Sequence, residues 1–265
     1  MPLGFTVAEL APVGSAPGGL RMGLRRLAER EWLQRPFDRA ARAAAFDAHP
    51  DAVQVLPEAE PAARELAAML GADAGLAGAA RACWEDLCLL LPGPDGAHRL
   101  VAGAVAFPTD WRLRDKLGLP LVAVHAPIHG YAGKLAGGVD HFMAGLRPGP
   151  VFGRANWFVT PSAALRYLPQ DDPAERFAHV TAGNAGTTLF VRCERQTLRR
   201  LPASGAVLFA IGVYVEPLGA LPAEVVRSVA RAVAAVPPGE RERRAAPHYA
   251  DALAAYACGL KGGAA

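Results

Sequence analysis

Long apolar runs are missing from this sequence. No stretch of its 265 residues approaches the roughly 18–20 uninterrupted apolar residues of a bilayer-spanning helix, so no membrane partner is expected. Met1 to Pro17 has neither a basic n-region nor a continuous apolar h-region, so no secretory signal is expected there. Cysteine is scarce. Cys83, Cys88, Cys193 and Cys258 form no CxxC pair, and the 83/88 spacing matches no common zinc knuckle. They read as small buried hydrophobes in a reducing, cytoplasmic compartment. Lysine is almost absent, at Lys116, Lys134 and Lys261 only. The formal charge of +3 is spread along the chain, so no nucleic-acid partner is expected. No internal repeat is apparent.

What is present is the composition of a globular protein, with 52% hydrophobic and 20% charged residues. The pattern divides the chain into three regions. Residues 1–80 read as a helical segment, with Leu24, Leu27, Trp32 and Leu33 at helical spacings and Pro50, Pro57 and Pro61 as breaks. Residues 81–220 read as a strand-rich core. Trp84–Leu91 and Leu100–Phe107 flank the turn Pro92-Gly93-Pro94-Asp95-Gly96 and predict a hairpin. Short helices over Trp111–Leu117 and Gly138–Leu146 follow, then strands over Val151–Val159, Thr187–Leu198 and Ala206–Val215. Residues 221–265 read as C-terminal helices, Pro222–Val236 and Pro247–Cys258, packed on the core. Two strands, a helical crossover and three strands predict an α+β fold: a five-stranded antiparallel sheet of PAS type with helices on one side, flanked by N- and C-terminal helices.

A polar stretch interrupts the second of those three strands. Period-two alternation puts Phe190, Arg192, Glu194, Gln196 and Leu198 on one face and Val191, Cys193, Arg195 and Thr197 on the other. A solvated face with a cross-strand ion pair would explain such a strand; so would a charged, hydrogen-bonding wall over a bound group. Which face points inward is open. Histidines cluster at His125, His129 and His141, and His125 follows the apolar segment Leu119–Val124. His49, His98, His179 and His248 lie in polar or loop contexts and are expected at the surface.

Four segments resemble the haem-dependent oxidative N-demethylase family of PAS-like haem proteins, whose type is the dimethylamine-oxidising alpha subunit. They are Arg21-Met22-Gly23-Leu24-Arg25 with Trp32-Leu33; Phe107-Pro108, Trp111, Lys116-Leu117-Gly118 and Val124-His125-Ala126-Pro127; Arg154-Ala155-Asn156-Trp157; and the run from Arg192 to Pro202, continuing into Gly205–Phe209 and Tyr214. The last is the most specific. The resemblance implies a haem-binding fold, oxygen activation and oxidative demethylation of a small secondary amine such as dimethylamine, with release of formaldehyde. It also implies reductase subunits carrying FMN and a 2Fe-2S cluster, electrons from NADPH, and tetrahydrofolate to capture formaldehyde. The chain shows no four-cysteine cluster pattern and no GxGxxG after a strand, so those cofactors are expected on other polypeptides. No CxxCH occurs, so the haem is expected to be b-type and not covalently attached.

With the resemblance, His125 is the expected iron ligand, with His141 and His129 as alternatives, and a backbone-bonded core histidine is the competing reading of His125. Asn156 and His141 are expected beside the cofactor. Arg192 or Gln196 could donate hydrogen bonds to dioxygen, Tyr214 could add a hydroxyl, and Glu194 could hold the substrate ammonium. The sequence departs from the family where Ile128 is followed by His129, and where Gly212 replaces a basic residue, which puts dimethylamine itself in doubt. A haem-binding sensor without turnover, and a PAS-like interaction protein that lost haem, are the alternatives.

Overall fold

The computed structural model describes residues 3–12 and 21–260. Expectations that fall on residues 1–2, 13–20 and 261–265, including part of the signal-peptide question and Lys261, lie outside the described residues. The fold is α+β. Its helices are α1 (Val7–Leu10), α2 (Arg39–Asp47), α3 (Glu60–Met69), α4 (Gly75–Arg81), α5 (Leu121–Val124), α6 (Tyr131–Lys134), α7 (Ala136–Gly145), α8 (Pro173–Phe177), α9 (Ala185–Thr188), α10 (Ala223–Ala234), α11 (Pro238–Arg243) and α12 (Ala250–Gly259). Its strands are β1 (Arg25–Leu27), β2 (Val53–Val55), β3 (Asp86–Pro92), β4 (His98–Ala104), β5 (Val151–Thr160), β6 (Phe190–Arg200) and β7 (Val207–Pro217). No helix among the described residues is long and apolar enough to cross a membrane.

The sheet has seven strands, in the order β1-β5-β6-β7-β3-β4-β2, where the sequence predicts five. The five expected strands are the inner ones. The two additional strands are its edges, three residues each, and both come from the segment read as helical. Each pairs antiparallel with its neighbour, β1 with β5 and β2 with β4. Three residues are too few to display an alternation, so pairing rather than pattern makes these strands. The expected β3–β4 hairpin forms. Gly93 N–H donates to the Ala97 carbonyl at 2.9 Å, and Gly96 takes φ of +79°, a region that favours glycine. A bulge at Leu89/Leu90 shifts the register.

The chain separates into two compact units with interleaved segments. The boundaries 154/155, 194/195 and 212/213 fall inside β5, β6 and β7 respectively. The first unit takes the described residues of Leu20–Arg154 and Arg195–Gly212. Its apolar cluster joins Cys88 and Leu90 of β3, Leu100 of β4, Val139 and Met143 of α7, Leu198 of β6 and Val207 of β7, with Tyr131 and Leu121 between them. Gly103 of β4 permits a close approach: a Cβ there would lie 2.5 Å from Leu113 Cδ1. A buried polar network ties α2 and α4 to β3. Arg42 Nη1 meets Asp86 Oδ1 at 2.8 Å, and its other nitrogens donate to the Ala80 and Glu85 carbonyls. Asp86 also accepts from Ala106 N–H and Phe107 N–H. Beside it Glu85 is fully buried. Its Oε1 accepts from Gln34 N–H at 2.8 Å, while Oε2 has no hydrogen-bond partner among the described residues. Burial pushes this carboxyl up to about 7 from its ordinary 4.5, against the backbone donors and the charges of Arg195 and Arg42.

The second unit takes the described residues of Met1–Gly19, Ala155–Glu194 and Val213–Ala265. Val225, Val226, Val229 and Val233 make the buried stripe of α10, and Leu253 and Ala257 that of α12. Tyr249 packs on Phe177, ring centroids 4.9 Å apart. Gly186 and Gly219 leave room for the Tyr256 hydroxyl; a Cβ on Gly186 would lie 2.4 Å from it.

Candidate functional site

His125 follows the single turn of α5. Its Nδ1 lies 2.8 Å from the Leu121 carbonyl one turn earlier. A carbonyl only accepts, so Nδ1 carries the proton and Nε2 keeps its lone pair. Among the described residues no hydrogen bond reaches Nε2. The ring stacks on Tyr131, centroids 4.4 Å apart and planes 15° apart. Burial holds His125 below its ordinary pKa; the Leu121 carbonyl opposes this, and the charges of Arg154 and Lys116 add to it. The imidazole is therefore neutral around pH 7, the form that ligates a metal. Lys116 is itself lowered by burial and donates to the Val124 carbonyl.

The sheet face beside His125 can be read from the register. Leu201 N–H donates to the Ala206 carbonyl at 2.8 Å, which sets Leu198 opposite Phe209 and Gln196 opposite Ile211. Leu198 and Phe209 belong to the same apolar cluster as Tyr131, so Gln196 shares their face. Gln196 Oε1 accepts from Arg154 Nε at 2.7 Å, and Arg154 Nη1 donates to the Met22 carbonyl at 3.2 Å. Phe142 of α7 and Phe152 of β5 meet edge to face at 5.2 Å and pack against the cluster with Met22, Leu24 and Trp111. One unit thus gathers Met22, Lys116, His125, Arg154 and Gln196, at least one residue from each of the four segments picked out in the sequence.

The other face of β6 in this unit is spoken for. Arg195 Nη1 donates to the Trp32 carbonyl at 3.1 Å and Nη2 to the Glu31 carbonyl. The Arg199 guanidinium lies 4.3 Å from the Trp32 ring centroid and pairs with Glu29. The face open in the sequence is settled here: Gln196 and Leu198 look toward the His125 cluster, and Arg195 and Arg199 cover the N-terminal segment.

The remaining expected site residues fall in both units. His129 and His141 are exposed. His141 sits on α7 two residues past buried Val139, the side away from Val139 and Met143. Asn156, Arg192, Glu194 and Tyr214 belong to the second unit. There Arg192 Nη1 and Nη2 donate to the Ala164 and Leu165 carbonyls at 3.1 and 2.7 Å, anchoring the loop after β5. Glu194 is 7% exposed, and its charge reaches Arg244, whose own pKa burial lowers and Glu194 helps restore. Arg244 lies over the Trp157 ring at 5.1 Å and donates to its carbonyl at 2.7 Å. Leu218 N–H donates to the Leu189 carbonyl, which sets Glu194 opposite Val213 and Tyr214 opposite Cys193. Tyr214 therefore lies on the opposite sheet face from Glu194.

His98 corrects the surface expectation. It is 3% exposed, and neither ring nitrogen has a hydrogen-bond partner among the described residues. The signal was available: His98 and Leu100 are two apart on β4, so they share a face, and Leu100 is apolar. Tyr131 also enters the site without having been singled out in the sequence, through its stacking on His125; Arg154 belongs to a matched segment that gave it no role. A family model described as haem-dependent oxidative N-demethylase, alpha subunit-like, matches residues 71–254. That span is more than half of the chain and contains β3 to β7, His98, His125, Arg154 and Gln196. The chain belongs to the haem-dependent oxidative N-demethylase, alpha subunit-like, family.

Proposed function

We propose that the chain binds one b-type haem through His125 Nε2 and carries out oxidative N-demethylation of a small secondary amine of the dimethylamine kind. The carrying observation is the His125 imidazole, fixed by the Leu121 carbonyl through Nδ1 and, among the described residues, without a hydrogen bond at Nε2. Metal-bound histidines characteristically donate their second nitrogen in this way. The surroundings suit a flat, mostly apolar group with carboxylate arms. Phe142, Phe152, Met22 and Leu24 supply apolar contact, and Arg154 and Lys116 are the cations close enough to act on His125. The ββ–crossover–βββ order of the inner strands supports a PAS-like core.

When bound, the haem would supply dioxygen binding and activation. The chain's own residues do the rest. His125 holds the cofactor. The Arg154–Gln196 pair gives fixed donors on one sheet face, ready to stabilise charge that develops there. The aromatic wall limits water. Overall, amine, dioxygen, two electrons and two protons give the demethylated amine, formaldehyde and one water. We assign the electrons to separate reductase subunits that carry FMN and a 2Fe-2S cluster and draw on NADPH, with tetrahydrofolate taking up the formaldehyde, all in the cytoplasm. Glu194 is retained as the amine-binding carboxylate, and Asn156 as a cofactor contact.

The purified chain, supplied with haem, should show an intense Soret band, and acid–acetone should extract the cofactor. With a reductase and dimethylamine it should release formaldehyde. No Soret band after haem supply would refute the haem reading. A Soret band without formaldehyde from any small methylamine would make the chain a haem-binding sensor.

A further inference from the structure

The buried polar atoms of the first unit without a hydrogen-bond partner among the described residues include both ring nitrogens of His98 and the Tyr131 hydroxyl. Buried polar groups are rarely left so, and internal water commonly satisfies them. His98 opens β4, on the face that carries Leu100 into the apolar cluster, and Tyr131 is a member of that cluster. Half-buried Asp140 on α7 is close enough to act on both: it opposes the lowering of His98 by burial and Arg200, and adds to the raising of Tyr131 by burial. Tyr131 in turn stacks on His125. The other charged groups near these two are fixed. Arg200 of β6 donates to the Met143, Leu146 and Gly205 carbonyls. Arg154 of β5 is held by Gln196 and Met22.

We propose that His98 and the Tyr131 hydroxyl hold ordered internal water, and that His98 passes protons through it between Asp140 and the His125 site. The inference rests on the demethylation reading, which consumes two protons per turnover at a site whose cations, Arg154 and Lys116, already donate to Gln196 and to backbone carbonyls. The step moves protons alone. One ring nitrogen of His98 accepts a proton from the Asp140 side, the other releases one toward the Tyr131 hydroxyl, and the ring is left as the opposite tautomer. Tyr131 takes part as a hydroxyl that accepts and donates together, without becoming ionised.

The test begins with the full chain without haem, its histidines labelled with nitrogen-15. The His98 ring should titrate below its ordinary 6.5, and Asp140→Asn should lower the midpoint further. Its N–H should exchange rapidly with solvent. A protected N–H that does not titrate between pH 4.5 and 8 would overturn the proposal, as would a high-resolution crystal structure with no water on His98 or Tyr131 Oη. Neither arm needs cofactor or substrate, so a failure here is separate from a failure of the demethylation reading. In the haem-loaded protein, His98→Gln should keep haem occupancy yet slow formaldehyde release at least tenfold, with a steeper fall at high pH. An unchanged rate and pH profile would also overturn it. Should that variant not fold, the titration of the unaltered chain decides.

Discussion

Glu85→Gln should make the protein more stable at pH 8 and leave it nearly unchanged at pH 4.5. Glu85 is fully buried with Oε2 unpartnered, and its carboxyl titrates near 7 in place of 4.5. A carboxyl whose folded pKa is raised binds its proton more tightly when folded. Its contribution is complete below about pH 4.5 and is lost as pH rises through about 7. The gap corresponds to about 3 kcal/mol. Gln preserves the shape and keeps an oxygen to accept from Gln34 N–H, and it has no charge to desolvate. Urea unfolding of both proteins at several pH values between 4.5 and 8 measures the effect, and only the difference between the two curves is read, because other carboxylates contribute equally to each. The difference should grow from near zero to about 3 kcal/mol in favour of the variant. Parallel curves would show that Glu85 stays charged in the folded protein and that Arg42 and Arg195 outweigh burial.

His125→Ala should lower the haem-to-protein ratio far more than His129→Ala or His141→Ala, since the latter two are exposed; normal loading in His125→Ala with loss in His141→Ala would move the ligand to α7. Arg42→Met should cost about 3–5 kcal/mol in urea unfolding, because Asp86 is left as a buried charge without its ion-pair partner; a cost under 1 kcal/mol would mean that the two backbone donors alone satisfy Asp86. Glu194→Gln should leave the melting temperature unchanged and raise the amine needed for a Soret shift roughly tenfold. Lower melting with an unaltered amine titration would assign the Glu194 charge to Arg244 instead.

The inner strands were legible because each is long enough to show its composition. The Pro92–Gly96 turn fixed the β3–β4 hairpin, and the apolar stripe of α10 announced itself between Pro222 and Val236. The edge strands β1 and β2 were not legible, since three residues paired to a neighbour carry no period of their own. Trp111–Leu117 reads as a helix and forms only the 3₁₀ turn Leu113–Asp115. In the candidate site, His125 could be picked out through the apolar segment before it, but its stacking on Tyr131 joins residues separated by a turn of no regular pattern. The polar run of β6 was recognised as unusual, yet alternation alone could not say that Gln196 meets Arg154 while Arg195 meets Trp32. Those partners lie 42 and 163 residues away in the chain, a separation that no local pattern spans.

The interleaving of the two units bears on how the protein can be dissected. Its chain passes from one unit to the other within β5, β6 and β7. A fragment spanning 81–220 would omit α2 to α4 from the first unit and α10 to α12 from the second, so neither core would be whole. Cutting at a loop likewise divides a core without releasing one. Reassembly from two separately expressed pieces is the better experiment: a break between Ala203 and Ser204 leaves β6 and β7 on different polypeptides, and recovery of the haem spectrum on mixing them would report that strand pairing alone can rebuild the sheet.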